Sequence, residues 1–342
     1  MQSKILKVGR GVIHNIAETL STEKIVGKIL YVSDDVVDKL YGNIVKKQIK
    51  EVGKLVEEFV THNTIAYALM IAEKVIETDI CCIIGVGGGK VLDVCKYAAF
   101  ITKRPFLSVP TTVANDGLVS PIAVLKRQDG KPKSLGCCMA SMVLIDTEVI
   151  CAGPCQLIKA GIGDTISNYM ALLDWDLACK RGKDKMNGYA YLMSKNSLDM
   201  LMNTQCHSLT PEFVEDLINS LVLSGIAMDF AGSSRPVSGS EHLFSHALDY
   251  YCKIGNLHGI QTALGTVAML KIIKKDQTDV MNYLNRFEVD INPQKLSIDV
   301  DTFVYCMQNA PQMRTNRYTY LNEVDLSRDS LVNVYNELVR EL

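Results

Sequence analysis

The sequence predicts an α/β protein in two parts, a half built on a parallel sheet followed by an all-helical half. Three observations carry this. Over the first 150 residues, short β-branched runs alternate with amphipathic stretches, the pattern of parallel strands joined by helical crossovers. A cluster of glycines joins one of these runs to a helical pattern, and after Asp146 helical periodicities follow one another without strands between them. The boundary falls near residue 148, giving segments 1–147 and 148–342.

The elements follow in order. Candidate strands are residues 28–32, 80–84, 106–109 and 142–145. Between the first two lie residues 36–60 and then 64–77, where Ile65, Leu69, Ala72 and Ile76 recur at helical spacing. Residues 120–125, the turn 128–131 and residues 133–138 form an antiparallel hairpin inserted before the last strand. In the second half, helices are expected at 156–160, 164–179, 189–204, 211–230, 241–250, 258–274 and 280–286. No internal repeat or low-complexity tract occurs, and the charge cluster 180–185 reads as a solvated loop.

Composition narrows the function. The chain has 342 residues, 48% hydrophobic and 22% charged, a globular balance. Its 36 basic and 38 acidic residues give a formal charge of −2, so no net positive field draws it to nucleic acid. The longest apolar stretches, 80–86 and 263–270, fall short of the roughly 20 residues that cross a bilayer, so no membrane span is expected. The opening Met1-Gln2-Ser3-Lys4 lacks the apolar segment of an export signal. Eleven cysteines, an odd number with no C-x-x-C pair, read as buried small hydrophobes and reduced thiols, which together with the missing signal indicates the cytoplasm.

At the strand-to-helix junction stands Gly85-Val86-Gly87-Gly88-Gly89. Glycines there let backbone N–H groups approach a pyrophosphate at the positive end of a helix. The spacing is neither G-x-G-x-x-G, because position 90 is Lys, nor a Walker loop, and a plain tight turn is the competing reading. Asp34 ends the candidate strand of the first half. It suits an adenosine ribose hydroxyl, favouring NAD over NADP, and it suits a helix N-cap equally well. Asp93 and Lys96, one helical turn apart, either face a cofactor or pair with each other.

Of six histidines, His242, His246 and His258 fall within seventeen residues. His242 and His246 share one helical face, a geometry for metal binding or proton relay and one that chance spacing also produces. After the turn 253–256, His258 opens the next helix, where it could return beside His242. Two imidazoles and one carboxylate bind Zn²⁺ or Fe²⁺ and leave positions for water or substrate. The candidate carboxylate is Asp164, whose competing role is N-cap of the helix carrying Trp175. His14, His62 and His207 stand alone.

Taken in order, Gly85-Val86-Gly87-Gly88-Gly89-Lys90, Ser108-Val109-Pro110-Thr111-Thr112, Asn115-Asp116-Gly117, Ser120-Pro121, Gly163-Asp164, the string Arg235-Pro236-Val237-Ser238-Gly239-Ser240-Glu241-His242-Leu243-Phe244-Ser245-His246, and His258-Gly259 carry a family resemblance. The chain resembles the glycerol-1-phosphate dehydrogenase branch of the iron-containing alcohol dehydrogenase and dehydroquinate synthase-like superfamily. The resemblance implies a Rossmann-like half and a helical half with NAD or NADP in the cleft between them. It implies Asp164, His242 and His258 as metal ligands, His246 near substrate and nicotinamide, and Asp116 as a substrate-contacting acid. Gly87, Gly88, Gly89 and Asp93 match the cofactor loop, and Thr111, Thr112 and Ser120 match cofactor contacts. Zinc is the metal most often used, iron or nickel in some relatives, and the relatives are homo-oligomers, dimers or octamers. The implied reaction interconverts a small polyol or its phosphate with the ketone, foremost glycerol 1-phosphate with dihydroxyacetone phosphate.

Two alternatives stand beside it. Glycerol dehydrogenase performs the same chemistry on the uncharged triol; Arg235 offers itself either as a phosphate partner or as a surface salt bridge. A sugar-phosphate cyclase of the dehydroquinate synthase kind usually carries Glu where this chain has Asp164, and its lysine-bearing glycine motif is missing here.

Overall fold

The computed structural model describes residues 5–252 and 255–341; the opening residues 1–4 and the start of the expected turn at 253–254 lie outside them. The chain divides into two compact units, Met1–Val113 with Gly117–Pro154, and Ala114–Asp116 with Cys155–Leu342.

The first unit is a parallel α/β sheet. Its strands are β1 (Ile5–Gly9), β2 (Lys28–Ser33), β3 (Lys54–Phe59), β4 (Ile80–Gly87), β5 (Phe106–Pro110), the hairpin strands β6 (Ile122–Lys126) and β7 (Pro132–Gly136), and β8 (Met142–Asp146). Six of them pair in the order β1-β8-β5-β4-β2-β3, every neighbour parallel. Side chains on one face, among them Ile29, Tyr31, Ile84, Val86, Leu107 and Leu144, pack on Ile13, Ile16, Leu20, Val45 and Ile49 from helices on that side. Strand residues of the opposite parity, such as Leu30, Ile83 and Val143, are also fully buried, so the sheet is covered on both faces.

The central strands lie where the hydrophobic runs predict them, but two strands lie where none is expected. The stretch 36–60 holds the helix Asn43–Val52 and then β3, and β1 precedes the first expected strand. Both are edge strands with a half-exposed pattern, so neither shows the continuous apolar run of a strand buried on both faces. On β3, Glu57 pairs with Lys46 at 2.7 Å and Glu58 with Lys74 at 2.6 Å.

The expected hairpin is present, with Ile122 opposite Gly136 and Lys126 opposite Pro132. Two residues of the helix Gly89–Thr102 hold it. The Val124 N–H donates to Asp93 Oδ2 at 3.1 Å, and Lys96 Nζ donates to the Gly117 and Ile122 carbonyls at 2.8 Å each. Asp93 and Lys96 themselves approach to 3.6 Å.

Among the described residues the second unit is all-helical. Long helices Gly188–Met202 and Pro211–Ala231 pack together, and His258–Ile272 packs against both Cys155–Ile166 and Ser240–Ala247. Trp175 sits in a buried cluster with Leu172 and Ala190. Helices Val300–Asn309 and Arg328–Glu341 close the unit, neither anticipated from the sequence. Among the described residues no helix is long and apolar enough to cross a membrane. All eleven cysteines are unbridged.

Burial pushes Asp93 up to about 6, against the pull of Lys96. In the unfolded chain it titrates near 3.8, so between these values the folded form takes up a proton that the unfolded form does not. Its contribution to stability is therefore largest at low pH and is lost as pH rises through 6. Urea titrations at pH 5 and pH 8 should show the stability of Asp93→Asn gaining on wild type by about 1.4 kcal/mol over that span. A constant difference would remove this account of Asp93.

Candidate metal centre and glycine loop

Three elements of the helical unit converge on one carboxylate. Asp164 lies in the last turn of Cys155–Ile166, inside a helix and not at the start of the next one, so the N-cap role is corrected: Ser167 precedes the helix Asn168–Lys180 instead. His242 projects from the first turn of Ser240–Ala247, and His258 opens His258–Ile272. His242 Nε2 and His258 Nε2 each stand 3.8 Å from Asp164 Oδ1. That oxygen is buried without a hydrogen-bond partner, and the three ligand atoms lie within 4.8 Å of one another. A buried, unbonded carboxylate oxygen carries a desolvation cost that a cation shared with two imidazole nitrogens relieves. The donor set therefore fits a divalent metal.

The outer nitrogens are already committed. Glu241 Oε1 meets His242 Nδ1 at 2.8 Å and also accepts the Gly239 N–H at 2.7 Å. Ser245 Oγ meets His258 Nδ1 at 3.0 Å and donates to Gln261 Oε1 at 2.6 Å, while Gln261 Nε2 donates to Asp249. Partners at Nδ1 leave Nε2 as the lone-pair side on both rings, the tautomer a metal needs. The electrostatics agree: burial pushes His242 and His258 down to about 3, keeping both neutral. Burial, reinforced by the charge of Asp116, holds Asp164 well above the usual carboxylate range without a cation.

Asp116 comes from the other side of the chain boundary. Residues Ala114–Asp116 belong to the helical unit, and the Asp116 N–H donates to Asp164 Oδ2 at 3.0 Å. His246 lies one turn beyond His242, its ring centroid 6.2 Å from that of His242 and 5.9 Å from that of His258. It stands beside the triad without joining it, and burial plus the neighbouring His258 hold its pKa well below the ordinary value.

In the first unit, Gly85–Gly89 follows β4 into the helix Gly89–Thr102. Here proximity rather than backbone angle demands glycine: a Cβ at Gly85 would lie 2.9 Å from Cys95 Sγ, and one at Gly87 would lie 2.8 Å from Val91 Cγ2. Gly88 precedes the helix with no side-chain cap, and a Cβ added at Gly89 would meet nothing, so the helix N-terminus keeps N–H groups available to an anion. The Thr111 N–H donates to the Gly87 carbonyl at 3.1 Å, and a Cβ at Gly88 would reach the Thr112 hydroxyl at 3.4 Å, which places both threonines beside the loop. Ser120 is buried, its hydroxyl 3.4 Å from the Ile122 carbonyl. Asp34 does cap a helix, one oxygen accepting the Val36 and Val37 N–H groups at 3.0 Å. Asp93 is occupied by the hairpin.

Several neighbours of the centre carry no signal in the sequence reading. Glu241 and Ser245 fall within the quoted motif string without an assigned role, and Gln261 follows His258 by three residues. Arg314 and Arg317, whose charges reach His242 and His246, lie in a stretch without any motif. Arg235 is buried rather than superficial, paired with Asp184 at 2.6 Å and with the Tyr318 carbonyl at 2.8 Å.

Comparison with known proteins follows the same lines. Residues 7–154 match the family model of iron-containing alcohol dehydrogenases. The glycerol-1-phosphate dehydrogenase (NAD(P)+) of Methanosarcina mazei is 32% identical over 92% of this chain and 89% of its own length. That of Methanococcoides burtonii is 34% identical over 92% and 88%. Among solved structures, a probable glycerol dehydrogenase from Sinorhizobium meliloti superposes with a TM-score of 0.78 over 97% of this chain and 95% of that one, at 19% identity. A sulfoacetaldehyde reductase from Bifidobacterium kashiwanohense, solved with NAD+, gives 0.75 over 99% of each, at 15% identity. At such identities the two structures establish the fold alone.

The triad depends on close helix contact. A Cβ at Gly163 would lie 2.1 Å from the Gly259 carbonyl oxygen, and one at Gly259 would lie 1.8 Å from that of Ala160. Backbone cannot yield as a side-chain tip does, so Gly163→Ala and Gly259→Ala should each cost about 3 kcal/mol or more and weaken Zn²⁺ uptake by the folded protein. Calorimetry and metal analysis on the purified variants measure both, and wild-type values in either variant contradict the geometry.

Proposed function

Because the chain belongs to the iron-containing alcohol dehydrogenase family, in its glycerol-1-phosphate dehydrogenase branch, we propose that it is a metal-dependent, NAD(P)-linked oxidoreductase that interconverts glycerol 1-phosphate and dihydroxyacetone phosphate. The observation that carries the chemistry is the unbonded Asp164 oxygen faced by two imidazole Nε2 atoms. Asp164, His242 and His258 would hold the cation, with Zn²⁺ the first choice for two nitrogen donors and one oxygen donor, and Fe²⁺ or Ni²⁺ within the range of the same set. The first unit would hold the dinucleotide at Gly87, Gly88 and Gly89, with Thr111 and Thr112 beside the loop, Ser120 as a further cofactor contact and Asp34 offering to a ribose the oxygen that does not cap its helix.

When bound, the cation supplies Lewis-acid polarisation of the substrate oxygen and the nicotinamide supplies the two-electron hydride carrier. The residues of the chain do the rest. Glu241 and Ser245 hold the two ligand rings in one tautomer and orientation. His246, neutral and half-buried, accepts the carbinol proton at a ring nitrogen during oxidation and returns it during ketone reduction. Asp116 fixes Asp164 through its N–H and presents its carboxylate to the substrate hydroxyls.

The free-triol alternative is less well supported. The Methanosarcina mazei and Methanococcoides burtonii relatives, 32% and 34% identical over most of this chain, are named for the phosphorylated substrate, whereas the glycerol dehydrogenase neighbours, at 19% and 17% identity, speak for the fold alone.

Metal analysis and steady-state kinetics test the assignment. His242→Ala and His258→Ala should each bind the cation at least about tenfold more weakly and lose turnover, whereas His246→Ala should retain it and lose roughly 10²- to 10⁴-fold in kcat. Unchanged metal content in the first two would refute the ligand set, and activity confined to free glycerol would refute the substrate.

A further inference from the structure

Beside the metal centre the helical unit gathers positive charge that the ligand set does not use. The turn Ala310–Arg314 packs against Ser240–Ala247, the helix of His242 and His246. From it and the residues just beyond, Arg314 Nη1 and Arg317 Nη2 both donate to the single hydroxyl of Ser234, at 2.9 and 3.0 Å, and Arg317 Nη1 donates to the Ser238 carbonyl. Both arginines are half-buried, open enough for a ligand to reach and dry enough for charge to act strongly.

The third arginine of the group shows the contrast. Arg235 is neutralised by Asp184, whereas Arg317 bonds only to a hydroxyl and a carbonyl, neither of which cancels its charge. Burial, with Arg314 and Arg235 adding to it, pushes Arg317 down to about 9 against the pull of Glu241 and Asp184, so the acids nearby do not offset burial and the neighbouring guanidinium groups. Two further polar atoms nearby are buried without partners, Ser238 Oγ and Arg235 Nη1. Paired guanidinium forks with a buried hydroxyl at hand are what a phosphate dianion requires: two charges to match its own and planar donors to meet its oxygens.

We infer that Arg314 and Arg317 seat the phosphate of the substrate, with the Ser234 and Ser238 hydroxyls alongside, and so set the preference for a polyol phosphate over the free polyol. The inference rests on the proposed oxidoreductase function and adds to it the residues that read the substrate's charged end. Arg235, which the sequence singles out, serves as a positioning residue, bonding the Tyr318 carbonyl next to Arg317.

The test compares wild type with Arg317→Met, Arg314→Met and Arg317→Lys. For each methionine variant the ratio of kcat/KM on glycerol 1-phosphate to that on glycerol should fall about 100-fold, chiefly through KM, with Arg317→Lys intermediate because it keeps the charge and loses the fork. Binding gives a second readout: inorganic phosphate should raise the melting temperature of metal-free wild type and fail to do so in the methionine variants. An unchanged substrate ratio, or phosphate protection that survives in both methionine variants, overturns the inference. If a methionine variant does not fold, Arg317→Lys decides through the same ratio. Wild-type activity confined to free glycerol overturns the proposed function instead, and the phosphate seat with it.

Discussion

Where the helices Cys155–Ile166 and His258–Ile272 cross, their backbones come closer than any side chain allows, and the two glycines responsible each adjoin a candidate metal ligand. Gly163 precedes Asp164, and Gly259 follows His258. The contact fixes the distance between carboxylate and imidazole through main-chain atoms, which do not change rotamer. The third candidate ligand is tied in by the same device: a Cβ at Gly265 would lie 2.9 Å from the Glu241 carbonyl, so the helix bearing His242 is pressed against the one bearing His258. Precision at the centre thus originates in the absence of side chains one residue away from it.

Around this frame the unit buries more carboxylate than a core normally tolerates. Asp174 and Glu241 are both pushed up to about 7, burial being the first cause in each. Each is compensated by main-chain donors: the Ser240 and Tyr320 N–H groups for Asp174, at 2.6 and 2.7 Å, and the Gly239 N–H for Glu241. Asp174 thereby staples the start of the His242 helix to the turn that follows Arg317, so the ligand helix and the arginine segment are held by one buried acid. Asp164 differs from Asp174 and Glu241 in where its unpartnered oxygen lies, facing the Nε2 atoms of His242 and His258 at 3.8 Å each.

Much of this was legible in the sequence. The four central strands, the glycine junction and the hairpin announce themselves through continuous apolar runs and turn residues. Asp164, His242 and His258 are suggested by residue type and by family motifs in order. What stayed hidden has physical reasons. The helical boundary that places Asp164 inside a helix depends on packing around Gly163, which one-dimensional periodicity does not report. Arg314 and Arg317 acquire meaning only when the chain folds back about eighty residues later onto Ser234 and Ser238. For Asp34 and Asp93 the sequence left two roles open each; the structure shows Asp34 capping a helix and Asp93 approaching Lys96 to 3.6 Å, and adds a hydrogen bond from Val124 to Asp93 that the sequence did not suggest.

The strand that periodicity concealed, β3, forms one border of the six-stranded sheet. A border strand exposes unpaired amide and carbonyl groups that another chain's strand could extend. Here that border carries Lys54, Glu57 and Glu58, with both glutamates held by lysines of flanking helices. An incoming strand would have to strip water from these charges and break their ion pairs. The polar residues that disguised β3 in the sequence are therefore what keeps the sheet from growing into an aggregate.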